Sequence, residues 1–222
     1  MEGLTSWDYI LLPIYLLILS AFARRIRLKY KDNPKLTLYF KLAFRIKIIA
    51  VIAFTLLTAY VMRGDNVDLY FGEGKNFANL VKKDFSKVYL IFMKANDETD
   101  DLASPDEKGY LKIESNYSVV KVSIVLCLLG FSKLMIVNLL CAFIAFMGSW
   151  SLFLFFRSQK PDLEKQFAII CMGIPSVVFW SSGIGKDALC MASLGFLTLS
   201  LYKVIITKQK IFLNLCITHI LY

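Results

Sequence analysis

The sequence predicts an all-α fold, a polytopic transmembrane helix bundle with one long extracytoplasmic loop and interfacial helices. Three observations carry that expectation. Apolar residues make up 57% of the chain and its mean hydropathy is +0.59, more hydrocarbon than a soluble domain can bury. Uncharged runs of membrane length recur between short polar segments. The charges are also sorted. Nine Lys/Arg fall between Arg24 and Lys47 with Asp32 the sole acid, whereas residues 63–116 hold eleven Asp/Glu against eight Lys/Arg. A basic cytoplasmic loop drawn to anionic lipid and an acidic external one produce that asymmetry. The net charge of +9 therefore belongs to a membrane surface, and nucleic acid is not an expected partner.

The whole chain, 1–222, reads as one membrane domain. Its first run, 7–23, has no Lys or Arg before it and Arg24-Arg25-Ile26-Arg27 after it. A secretory signal has the opposite order, so this is a retained span with its N-terminus outside and Trp7 and Tyr9 at the outer interface. Pro13 is tolerable in the first turns of a membrane helix. The basic loop 24–41 follows, with a turn at Asn33-Pro34. The second span is 42–62, where Arg45 and Lys47 are expected to snorkel to the inner face.

Residues 63–116 form the external loop, with an amphipathic stretch from Gly74 to Val81. The acidic cluster Asp97-Glu98-Thr99-Asp100-Asp101 lacks the spacing and glycine of a calcium loop. It reads as a solvated tip, and no cofactor is expected; a divalent metal is chemically allowed but nothing indicates one. Residues 117–132 are ambiguous, because their uncharged part is only Val122–Ser132. Those eleven residues reach roughly 16 Å as helix, about half of a hydrocarbon core. We read 117–132 as an interfacial helix that does not cross. The later spans, 134–156, 167–182 and 188–203, then place Arg157–Lys165 and Lys203–Lys210 on the cytoplasmic side, as the positive-inside tendency asks. A partial run, 211–222, stops short of span length, the mark of a truncated chain or a frayed tail. The five cysteines and His219 lie inside apolar runs without ligand spacing and read as packed residues.

Two stretches carry chemistry. Gly183-Ile184-Gly185-Lys186-Asp187-Ala188 fits the Gly-x-Gly-x-x-Gly/Ala spacing, but apolar helices flank it and no acid follows Asp187, so the dinucleotide reading fails. The Walker pattern fails too, with Trp180 at the first glycine position and Asp187 at the Ser/Thr position. Two readings remain: an external turn presenting N–H groups and Lys186 to a phosphate, or a plain glycine turn with an interfacial Lys/Asp pair. Arg63-Gly64-Asp65-Asn66-Val67-Asp68-Leu69-Tyr70 lies where the second span emerges. A carboxylate there could act as general base toward a hydroxyl acceptor, or merely solvate and cap the amphipathic stretch.

Gly-Asp-x-x-x-x-Tyr after an early span, interfacial helices, and then Pro-Ser-x-x-Phe-Trp-Ser-Ser-Gly-x-x-Lys-Asp-Ala-Leu together resemble the multispanning GT-C glycosyltransferases. They are also similar to related bacterial envelope-polysaccharide membrane proteins. The resemblance covers roughly residues 43–203. It implies Asp65 as catalytic base with Asp68 in reserve, and Lys186, Asp187 and Arg63 near the donor phosphate or acceptor. It implies a polyprenyl-phosphate-linked sugar as substrate, an envelope glycan or lipid as acceptor, and a bacterial inner membrane as the site of action. Other envelope-biosynthesis membrane proteins are the expected protein partners. The alternative is a non-enzymatic subunit or scaffold of a polysaccharide polymerisation or export system. The acids here are Asp-Asn-x-Asp rather than an adjacent pair, and Lys-Asp stands where Tyr-x-Glu is usual.

Overall fold

The structure, a computed structural model, describes residues 4–62, 66–93 and 109–206. Among the described residues all regular structure is helical. In chain order, α1 is Ser6–Arg27 and α2 is Pro34–Leu57, prolonged by a π-helical turn over Thr58–Met62. A second π-helical segment, Asn66–Glu73, leads into α3 (Gly74–Lys83) and α4 (Lys87–Met93). Then come α5 (Glu114–Leu129), α6 (Leu134–Gln159), the short α7 (Glu164–Met172) and α8 (Pro175–Trp180), and α9 (Lys186–Ile205). Four of these are long and apolar enough to cross a membrane: α1, α2 with its π turn, α6 and α9.

Helix starts follow local chemistry. The Asn33 side chain accepts the Leu36 N–H at 3.1 Å and Pro34 occupies the first turn, so α2 begins at residue 34 rather than at 42. The segment expected as basic loop is therefore partly helical. At the other end of the bundle, Asp8 and Thr5 form a capping box, with Asp8 Oδ2 accepting Thr5 N–H at 2.9 Å and Thr5 Oγ1–H at 2.6 Å. Its other oxygen accepts the Met135 N–H at 3.1 Å. One buried carboxylate thus closes the N-termini of α1 and α6, and the two helices start together and run parallel.

The other long helices orient themselves against α6. Phe40 meets Trp150 edge-on at 4.9 Å and Thr55 bonds Asn138 at 3.0 Å, so α2 is antiparallel to α6. Ile184 bonds Asn138 at 2.9 Å and Tyr202 packs on Phe155 at 5.5 Å, so α9 is parallel to it. The α6–α9 seam is made of small residues. A Cβ at Gly148 would lie 2.5 Å from Ala192 Cα, and one at Gly195 would overlap the Gly148 carbonyl. Backbones this close gain the dispersion contacts that hold helices together in lipid.

The bundle consequently has two unlike ends. The basic end carries Arg24–Lys31, the end of α6 and Lys160. The cap end carries the starts of α1 and α6, the end of α2 and the described residues between Thr58 and Lys133. The described parts of the expected solvated loop fold there. Val67, Leu69, Phe71, Phe77, Val81 and Ile91 share one buried cluster with Tyr117 and Ile124 of α5 and with Ile184 and Ala188. The amphipathic stretch is α3, which buries Phe77, Ala78 and Val81 and exposes Lys82 and Lys83. The acidic tip Asp97–Asp101, the partial run 211–222 and His219 lie outside the described residues. The ambiguous segment is α5, 16 residues long and not among the span-length helices.

The expected span 167–182 is not one helix. It starts at the basic end, where Phe156 stacks on Phe167 at 5.4 Å and Arg157 Nε pairs with Glu164 Oε2 at 3.2 Å. It breaks at Gly173-Ile174, because Pro175 opens α8 and pushes the residue before it into extended backbone (ψ 117° at Ile174). The chain thus returns toward the cap end in two pieces.

Candidate functional site

Behind the break, α8 ends in a turn, Ser181–Gly185, that is wholly buried. The last carbonyls of a helix have no internal partners and carry the negative end of its dipole. Lys47 of α2 supplies the missing donors. Its Nζ donates to Ser181 O at 2.7 Å, to Ser181 Oγ at 2.7 Å and to Val178 O at 3.2 Å. Ser181 Oγ gives its own hydrogen to Val177 O at 2.5 Å, so these three acceptors match the three hydrogens of an ammonium. Ser182 Oγ returns to Val178 O at 2.5 Å. Lys47 is 6% exposed. The expected snorkelling to the inner face does not occur, because Lys47 is the fourteenth residue of a helix that starts at Pro34, about 20 Å along its axis.

Asn138 of α6 grips the same turn from the opposite side. Its Oδ1 accepts the Ile184 N–H at 2.9 Å while its Nδ2 donates to Thr55 Oγ1 at 3.0 Å. The turn passes so close to α2 that a Cβ at Gly183 would overlap the Phe54 ring, which excludes any side chain there. Phe54 also meets Phe179 at 5.2 Å and Trp180 at 6.4 Å. The result is a broken helix fixed by one lysine, one asparagine and an aromatic cluster, the kind of backbone irregularity that a membrane interior tolerates only where protein satisfies it.

Lys186 and Asp187 leave this knot and are exposed at the first turn of α9. An acid at that position faces the positive end of the helix dipole. Asp187 borders a groove of about 330 Å³ with Ser176, Val177, Trp180, Cys190 and Met191. Asp68 is exposed on the π-helical segment Asn66–Glu73. Asp65 and Arg63 lie outside the described residues. The fold brings the anchors of the two stretches together: Val67 and Leu69, flanking Asp68, and Ile184 and Ala188, flanking the Lys-Asp pair, belong to one cluster. Among the described residues no three His, Cys, Asp or Glu side chains converge on a metal position. In the cap, the Asp84 carboxyl is held below the usual carboxylate range by hydrogen bonds from Ser86 Oγ (2.7 Å) and Ser86 N–H (3.0 Å).

Sequence reasoning missed three polar residues that organise this region: Asp8, Lys47 and Asn138. Two had local signals. Thr5-x-x-Asp8 has capping-box spacing, and counting from the Asn33-Pro34 start places Lys47 too deep to snorkel. Asn138, a lone amide in an apolar run, has a partner 46 positions away, and no local pattern encodes that. Compared with known proteins, the chain matches no family model, no curated protein and no solved structure.

Proposed function

We propose that this chain is a glycosyltransferase-like integral membrane protein that moves a sugar from a polyprenyl-phosphate carrier to an envelope glycan or lipid. It would do so at the outer face of a bacterial inner membrane, with the N-terminus outside. The observation that supports this reading is the shared cluster beneath Asp68 and the Lys186-Asp187 pair, which roots both exposed stretches at one end of the bundle. In the reaction, Asp65 or Asp68 takes the proton of the acceptor hydroxyl. The freed oxygen forms a bond to the anomeric carbon as the carbon–oxygen bond to the carrier phosphate breaks. The phosphate leaves with the electron pair and is held by Lys186 or Arg63, while Asp187 orients the acceptor beside the groove it borders.

Transfer from a radiolabelled polyprenyl-phosphate sugar is the test, measured in membranes carrying Asp65→Asn, Asp68→Asn or Lys186→Gln. One aspartate variant is expected to lose transfer at normal expression. Full transfer by both aspartate variants removes the acid–base role. A second reading, a non-enzymatic subunit of a polymerisation or export system, is favoured by the Asp187 groove, which is lined by α8, the turn after it and α9 and, among the described residues, by no second acid. Polymer production that survives all three substitutions but not loss of the chain selects that reading.

A further inference from the structure

We infer that the groove between α1 and α2 at the basic end is a binding site for the phosphate headgroup of an acidic phospholipid. The sequence builds each wall at helical spacing. Ser20, Ala23, Arg24 and Arg27 recur at i, i+3, i+4 and i+7 on α1, and Lys41 and Arg45 stand at i and i+4 on α2, so each set shares a helix face. The structure turns those faces toward each other around a cavity of about 310 Å³, at the lower edge of the roughly 300–1,000 Å³ usual for small-molecule sites. Its rim is four cations, Arg24, Arg27, Lys41 and Arg45. Ala23 and Phe40 are buried beneath them, with Phe44 half-buried beside them.

Charge decides the occupant. Among the described residues no acid borders the groove, and the sole acid between Arg24 and Lys47 in the sequence is Asp32. Among the described residues, none of the four cations has an ion-pair or hydrogen-bond partner; the one described ion pair at this end is Arg157 with Glu164. Four uncompensated cations around one cavity attract a phosphate and repel choline. Three of the four are guanidinium groups, which can bind phosphate oxygens bidentately. The aromatic floor and position decide between lipid and dissolved phosphate. Its α1 wall belongs to a span-length helix whose Leu17, one turn before Ser20, is exposed and apolar. Tyr30, half-buried at the same end, accepts the Trp150 Nε1–H at 3.2 Å and is an amphipathic ring of the kind found at headgroup depth. Basic pockets between membrane helices bind anionic headgroups for these reasons. The site lies at the opposite end from Asp68 and Lys186 and does not depend on the function proposed above.

The test uses the full chain in non-ionic detergent, with bound lipid counted by native mass spectrometry during titration with phosphatidylglycerol or phosphatidylcholine. The wild-type chain is expected to prefer phosphatidylglycerol by roughly tenfold. Arg24→Gln/Arg45→Gln is expected to weaken that lipid about tenfold, and Lys29→Gln/Lys31→Gln, which removes equal charge outside the groove, by less than about twofold. Equal weakening by the two pairs reassigns the effect to diffuse attraction and overturns the proposal. An unselective wild-type chain also overturns it, a result that needs neither variant to fold. Displacement of the lipid by millimolar inorganic phosphate would make this a site for free phosphate, and the lipid assignment would fall.

Discussion

Replacing Lys47 with Met asks whether one side chain holds the broken helix together. Methionine fills nearly the same space but donates nothing. The desolvation cost of the ammonium and its three hydrogen bonds vanish together and largely cancel. What remains is Ser181 O left bare in a buried turn, at roughly 1–2 kcal/mol, while Val178 O keeps the hydrogen of Ser182 Oγ at 2.5 Å. The expected loss is about 1–2 kcal/mol, read as the shift in reversible unfolding in mixed detergent micelles. Ser181→Ala, combined with Lys47→Met in a double-mutant cycle, should show about 1 kcal/mol of coupling, because both changes break the 2.7 Å Nζ–Oγ contact. Amide exchange over residues 181–185 should rise in Lys47→Met and not in Arg45→Met, whose parent side chain is exposed. A Lys47→Met protein of unchanged stability, with the turn as protected as before, would refute the reasoning. The knot would then be held by packing alone.

Three further outcomes follow from the same geometry. Asn138→Ala should cost about 1–2 kcal/mol, since it strips Ile184 N–H and Thr55 Oγ1 of partners, and the Ile184 amide should exchange faster than its neighbours in α9. Asp8→Ala should cost about 2 kcal/mol, roughly 1 for each helix start that the carboxylate closes; a loss confined to fraying of α1 would disprove the double role. Carbon-detected titration should place the Asp84 midpoint below the roughly 3.9 of an unstructured aspartate. Because that folded value is depressed, the Asp84–Ser86 turn contributes to stability above the unstructured midpoint and loses its contribution as pH falls through the folded one. Ser86→Ala should move the midpoint back up, and an unmoved midpoint would rule out the hydroxyl as its cause.

The helical class and the approximate places of α1, α2, α6 and α9 were legible, because each carries a long, strongly apolar run. The amphipathic α3 was legible from its spacing. Much less could be read of the site. The run 167–182 has the composition of a span, and its division rests on Pro175 acting with a lysine 134 positions upstream, a pairing that no local period records. The polarity of the stretch expected as an external loop concealed a folded cap, since Val67, Phe71, Phe77 and Ile91 are separated by polar residues and become contiguous only around α5. Lys186 and Asp187, read either as part of a phosphate-binding turn or as an interfacial pair, are exposed at the edge of the buried turn.

Parallel α6 and α9 impose an order on biogenesis. The chain between Gln159 and Lys186 must traverse the bundle, yet it does so with helices of nine and six residues, each well under the roughly 20 that translocation machinery recognises as a stop. Such a pair has little reason to partition into lipid by itself. Its insertion should wait for α9 and for the partners that earlier-made α2 and α6 offer the turn, and an early helix placed wrongly should strand the late ones in the wrong orientation.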